Sequence, residues 1–513
     1  MQPATARAVA VPGSAECRMN GEPGFALWAT PWQAAKRRPG DSSRRAGIHP
    51  RALKAGGAKW RPGDSLRSSP GINGERRGEA AGTEDIKPGA DGEGNGVNKN
   101  DEVRWLSMGI VLAALLMLVC AGPAVSAEPK AVTREMPWDV PALSKPPKVH
   151  PATERPAKGM RSLFYEGAAY KGKPTWVFAY FATPEGTPPE GGWPAVVCAP
   201  GGGGTAFPAW VKKWNQSGYA AISMDLEGHL PGGHHFGVEG NFPLDQGHAN
   251  AGPKRIGWFG DIALPDKEQW FYHAVADVIR ANSLLRSSPL INPEKIGLTG
   301  ISWGGTIVST VAGVDPRFAF VISVYGGGFI HKHDMTPDQY REYLAKWDPS
   351  AHLPYAKMPM LWVCGVNEPV FPLNGFSKSA ASAGGTSILC IRPFLPHGHG
   401  FGWEEVWEIG GFANGVVKGS TPMPMFERPR VDPKDGLVHV KFRGPLRSAV
   451  VGFTTAREWK NQALSTIPCR IDKDEVIARK PLPGGTTAFM MNGTGGESWG
   501  DACINSELIV IKP

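Results

Sequence analysis

At 513 residues, with 41% apolar and 20% charged side chains, the chain exceeds one compact domain of ordinary size and has a globular make-up. That composition excludes a polytopic membrane protein, a collagen and a chain disordered throughout, and seven cysteines are too few for a disulfide scaffold. Residues 1–107 hold 17 basic and 12 acidic side chains, so most of the net charge of +8 sits in the leader, and no later Lys/Arg block could track a phosphate backbone. Nucleic acid is therefore not an expected partner.

Residues 1–103 are rich in Gly, Pro, Ser, Ala and Arg and carry no sustained helical or strand period, which predicts a disordered leader. Lys99 and Arg104 precede an apolar run from Ile110 to Cys120 that ends at Val125-Ser126-Ala127. A basic flank, a short apolar core and a small-residue site make 104–127 a signal peptide cut after Ala127. The core is half the length of a membrane span, so export with no stable membrane span is expected. A signal so far inside the chain implies a start codon downstream of Met1. Residues 128–160, with many Pro and Lys, read as an extended lead-in.

From 161 to 420, apolar runs alternate with helical patterns. The strands expected are 176–181, 195–199, 219–224, 296–299, 318–324, 360–366 and 387–392, several of them continuous Val/Ile/Leu/Ala runs suited to parallel strands covered on both faces. Residues 266–283 predict a helix, because Trp270, Ala274 and Val278 and the adjoining Phe271, Val275 and Ile279 recur every four residues. The alternation predicts an α/β domain with a mostly parallel central sheet. After Thr421-Pro422-Met423-Pro424, short strand-like pieces at 438–442, 449–453, 475–478, 486–491 and 508–511 predict a small all-β, sandwich-like domain over 425–513. Cys469 and Cys503 could pair there in an exported protein, whereas Cys198, Cys364 and Cys390 lie in apolar runs as buried thiols.

Chemistry is signalled most clearly by Gly300-Ile301-Ser302-Trp303-Gly304. The G-x-S-x-G pattern is common, but here a strand pattern precedes it and a helix pattern follows, the setting of a nucleophile elbow. A serine hydroxyl needs a base, itself oriented by an acid, and in this architecture the order is Ser, acid, His. Glu368 follows the 360–366 strand and supplies the acid, with Asp348 a second candidate. Pro396-His397-Gly398-His399-Gly400-Phe401 supplies the base, with His399 favoured because a histidine before Gly-Phe is the common form and His397 the alternative. An oxyanion also needs preorganised donors, each contributing about 3 kcal/mol. The N–H of Trp303 is one candidate, and Gly202 or Gly203 in Gly201-Gly202-Gly203-Gly204 supplies the other. Between Glu227 and Asp261 a long loop holds His229, His234, His235 and His248, yet no metal-ligand spacing. Trp258 and Phe259 on that loop are expected to shape the substrate pocket. No metal or cofactor is expected.

At these residues the chain resembles the α/β-hydrolase superfamily, in its secreted bacterial branch near dienelactone hydrolases, acetyl xylan esterases and prolyl oligopeptidase catalytic domains. The resemblance spans about 162–419 and rests on Gly201 to Phe207, Tyr272 to Asp277, Gly300 to Gly305 and Pro396 to Gly400. It implies an α/β-hydrolase fold, Ser302 as nucleophile, His399 as base and Glu368 as orienting acid. Two positions depart from the family pattern: Pro200 stands where relatives commonly have His, and Glu368 where they commonly have Asp. The expected function is hydrolysis of a small ester or an acylated polysaccharide through an acyl-enzyme. The alternatives are a prolyl oligopeptidase-like peptidase and an inactive hydrolase-fold protein that binds glycan. Oligomeric state is not legible in the sequence.

Overall fold

The computed structural model describes residues 134–232, 242–243, 246–330, 335–399, 406–457, 464–496 and 499–511, all within one compact unit. The expected leader and signal peptide, with His234, His235, Gly400 and Phe401, lie outside the described residues.

Strands of three or more residues are numbered here in chain order. The first nine are β1 Val149–Pro151, β2 Arg161–Glu166, β3 Trp176–Ala182, β4 Trp193–Ala199, β5 Ala220–Met224, β6 Ile291–Ile301, β7 Phe320–Val324, β8 Met360–Gly365 and β9 Ser387–Arg392. They lie side by side as β1-β2-β3-β5-β4-β6-β7-β8-β9. The run from β5 through β4 to β9 is parallel, and the β1–β2, β2–β3 and β3–β5 pairs are antiparallel. The sheet is thus mixed, where a mostly parallel one was expected. Burial of every residue in β5, β7 and β8 explains their unbroken apolar sequences: neither face meets water.

The helices α1 Pro208–Gln216, α2 Trp270–Arg286, α3 Trp303–Val314, α4 Leu373–Ser382 and α5 Trp407–Val417 accompany these strands. Helix α2 starts at the first residue of its apolar period, four residues after the expected bound of 266, where Asp261 Oδ2 accepts the Trp270 N–H at 2.6 Å and fixes the first turn. It packs on α3 and on β6.

Beyond 420 come β10 Val438–Arg443, β11 Leu446–Thr454, β12 Ser465–Asp472, β13 Glu475–Ala478, β14 Ala488–Gly495 and β15 Cys503–Asn505. Their mutual pairing is antiparallel, as an all-β segment requires. They do not form a free-standing sheet, however: β15 pairs with β9 at Leu389 opposite Asn505, and the Asn505 side chain accepts the Ile391 N–H at 2.6 Å. The C-terminal strands therefore continue the edge of the parallel sheet. Strand β12 escapes sequence reading because Pro468 interrupts it and most of its residues are exposed.

The cysteine expectation changes with this topology. Cys469 and Cys503 are both free thiols, Cys469 Sγ lying 3.7 Å from Met491 Sδ and Cys503 Sγ 3.2 Å from the Ile391 carbonyl. Each packs against a different strand, so no disulfide joins them. No helix among the described residues is long and apolar enough to cross a membrane.

Candidate active site

Ser302 sits between β6 and α3 with φ 57° and ψ −117°, a conformation costly for a residue with a side chain. The turn holds because its flanks are packed against backbone. A Cβ on Gly300 would fall 2.3 Å from the Gly304 carbonyl oxygen, and one on Gly304 2.2 Å from that of Ala199. Only glycine fits at either place, which is the physical content of the G-x-S-x-G pattern. The strained turn lifts the hydroxyl out of the sheet, and the Ser302 N–H is anchored to the Val324 carbonyl at 2.8 Å.

The histidine beside it is His397. Its Nε2 lies 2.9 Å from Ser302 Oγ, and its Nδ1 lies 2.9 Å from each oxygen of Glu368. Glu368, 5% exposed, also accepts the Val370 and Phe371 N–H groups at 2.8 and 3.1 Å, so its carboxylate is held in place before it meets the imidazole. It stands in the short loop right after β8. Tyr325, at the end of β7 with φ 62°, places its ring 4.8 Å from that of His397 and donates its hydroxyl to the Pro396 carbonyl at 2.7 Å. It locks the histidine loop, and nothing in its sequence neighbourhood signals that.

The expected base, His399, is elsewhere. Its Nε2 accepts the Gly201 N–H at 3.0 Å and its ring lies against Phe207. Loss of solvent, reinforced by the neighbouring His397, pushes its pKa down to about 4, so the ring is neutral and able to accept at ordinary pH. Sequence pattern could not separate the two histidines, because Gly398 between them takes φ 151° and turns one ring toward Ser302 and the other toward the glycine loop.

Asp348 is an anchor, not an acid for the triad. Fully buried, it accepts the Phe329, Ile330 and Ser350 N–H groups at 3.0, 3.3 and 2.8 Å and the Tyr343 hydroxyl at 2.5 Å. No acceptor capacity remains for an imidazole. Asp348→Ala is expected to lower stability by about 3 kcal/mol by stranding these donors, read as a fall in the denaturant midpoint. A midpoint unchanged from wild type would contradict the anchor.

Of the oxyanion candidates, Gly203 is excluded by its own hydrogen bond: its N–H donates to Glu227 Oε1 at 2.7 Å. Gly202 and Trp303 have N–H groups with no hydrogen-bond acceptor among the described residues, and the two residues are in contact. Trp258 lies against Trp303 with ring centroids 4.5 Å apart and planes tilted by 40°, and meets Phe371 edge-on at 5.6 Å, which puts it beside the elbow. Phe259, expected beside it, is 5% exposed and packs on Phe271, Trp303 and Tyr343 in the core. His229 is buried in a two-residue ladder and the His248 ring lies 5.0 Å from Phe164.

A strained serine between strand and helix, faced by histidine and carboxylate from loops after later parallel strands, is the arrangement of an α/β-hydrolase fold. Residues 162–342 match the acetyl xylan esterase (AXE1) family model, which supports an ester hydrolase. Among solved structures, the chain is similar to an acetyl xylan esterase from Paenibacillus sp. R4, at 20% identity over 56% of this chain and 97% of that one, with a TM-score of 0.42. It is similar too to acetyl xylan esterase 1 from a Thermoanaerobacterium species, at 14% identity over 56% and 96%, TM-score 0.40. The acylaminoacyl peptidase of Pyrococcus horikoshii is matched at 16% identity over 51% of this chain and 42% of that one, TM-score 0.36. No curated protein sequence matches the chain.

Proposed function

We propose that the chain is an exported serine hydrolase of carboxylic esters, acting on small acyl groups such as acetyl carried by a polysaccharide. The observation that carries this reading is the hydrogen-bonded line from Ser302 Oγ through His397 to Glu368. The acetyl xylan esterase match over 162–342, which includes the serine, supports the ester class.

In this mechanism Ser302 Oγ attacks the ester carbonyl while His397 Nε2 takes its proton. Glu368, already fixed by two backbone amides, holds the Nδ1–H and stabilises the imidazolium that forms. The N–H groups of Trp303 and Gly202 receive the oxyanion, Trp303 with the added field of the α3 N-terminus. The alcohol leaves with the proton from His397, and water, activated by the same nitrogen, releases the acid from the acyl-enzyme.

The test is hydrolysis of p-nitrophenyl acetate and acetylated xylan, beside a proline-anilide peptide, together with labelling by a fluorophosphonate. Fast labelling and turnover of both esters are expected, and turnover of the peptide alone would overturn the ester assignment. Export rests on the 104–127 pattern. N-terminal sequencing of secreted protein should begin at Glu128, and a mature terminus upstream of Met108 would refute it.

A further inference from the structure

Four consecutive glycines have no side chains with which to hold a shape, yet an oxyanion donor works only if it is already aimed before the charge develops. The N–H groups of this loop can be followed one at a time. Gly201 donates to His399 Nε2 at 3.0 Å, Gly203 to Glu227 Oε1 at 2.7 Å, and Gly204 back to the Gly201 carbonyl at 3.0 Å. Among the described residues Gly202 is left with an unspent N–H, and it lies so close to the elbow that a Cβ on it would meet Trp303 Cδ1 at 2.5 Å.

The two side chains that flank Gly202 are themselves fixed. His399 packs on Phe207, at the entry to α1. Glu227, buried after β5, shares Oε1 between the Gly203 N–H and Arg255 Nε at 2.8 Å, and Arg255 Nη1 donates to the Gly257 carbonyl at 3.1 Å. The Arg255 guanidinium stands 5.7 Å from the Trp303 ring, so the pair ties the glycine loop, the 255–259 segment and the elbow together.

We propose that His399 and Glu227 are positioning residues that hold the Gly201 and Gly203 amides and thereby aim the Gly202 N–H at the carbonyl oxygen of an ester bound at Ser302. The inference rests on the reading of Ser302 as nucleophile. It gives His399 a task in the reaction other than the one its motif suggests, and it gives Glu227 a task that no motif marks.

The experiment compares His399→Ala, His399→Gln, Glu227→Ala and Glu227→Gln in the full-length protein. It measures kcat and KM for p-nitrophenyl acetate and inhibition by a trifluoromethyl ketone, which adds to the serine and places an oxyanion in the same pocket. Each Ala variant should lose about ten- to a hundredfold in kcat with KM nearly constant, and weaken inhibition by a similar factor. Each Gln variant keeps an acceptor near the lost one and should recover most of both. Folded Ala variants with wild-type kcat and inhibition, or Gln variants as impaired as Ala, would overturn the proposal. Should an Ala variant fail to fold, His399→Asn and Glu227→Asp, whose acceptors fall short of the amides, carry the same expectation. Ser302→Ala separates this inference from its parent. If it abolishes turnover while the Ala variants behave as wild type, the positioning role alone falls; if it leaves turnover intact, the nucleophile reading falls and takes this one with it.

Discussion

Ser302→Ala is expected to lower p-nitrophenyl acetate turnover at least about a thousandfold, or about 4 kcal/mol of transition-state stabilisation, while the protein stays folded. The loss should be this large because the Ser302 hydroxyl, 2.9 Å from His397 Nε2, makes the covalent bond through which the reaction passes. Folding should survive because alanine keeps the Cβ that the turn already accommodates, and the anchors of the turn are backbone, the Ser302 N–H on Val324 and the Thr306 N–H on the Ser302 carbonyl at 3.0 Å. The φ of 57° remains equally strained in both proteins, so the denaturant midpoint should barely move. The residual rate would come from the Trp303 and Gly202 donors stabilising the oxyanion that forms when water attacks the bound ester. A variant that keeps more than about a tenth of wild-type turnover would refute the nucleophile.

His397→Ala should be nearly as damaging, at least about a thousandfold in kcat, whereas His399→Ala should cost no more than about a hundredfold. The difference follows from what each ring touches. His397 is the link between Ser302 Oγ and Glu368, so its loss leaves the serine without a base and a buried carboxylate facing an empty space. His399 Nε2 accepts a backbone amide of the glycine loop, and the hydrogen bonds from Ser302 to His397 and from His397 to Glu368 do not pass through it, so its loss leaves the proton path intact. Added imidazole offers a second reading: it should restore part of the activity of His397→Ala, since the vacated space adjoins both partners, and give little to His399→Ala. Equal losses in the two variants, or a larger one at His399, would return the base to His399.

Much of this architecture is legible without coordinates. The continuous apolar runs at 195–199, 318–324 and 360–366 can be buried only on both faces, and they became β4, β7 and β8 within one or two residues. The spacing of Trp270, Ala274 and Val278 similarly announced α2. Strand β2 is hidden in the sequence because Arg161 and Glu166 bound a short run, and α4 and α5 because Gly and Ser dilute their apolar period. The continuation of the parallel sheet into the C-terminal strands could not be foreseen, since it depends on a single pairing, Leu389 with Asn505, more than a hundred residues apart.

What the sequence alone determined is the chemistry available: Ser302 in an elbow whose glycines admit no side chain, Glu368 after a strand, two histidines in one loop and four glycines in another. Local sterics and chain order dictate these, and both are written in short stretches of residues. What only the tertiary structure decided is the assignment of partners. His397 rather than His399 meets the serine, Gly203 is consumed by Glu227, and Asp348 is consumed by four donors. The first two of those choices are hydrogen bonds between groups far apart along the chain, made at about 3 Å once the sheet has brought the loops together, and Asp348 adds the Phe329 and Ile330 amides to its local donors. Residue types can propose such partners, and only the folded geometry selects among them.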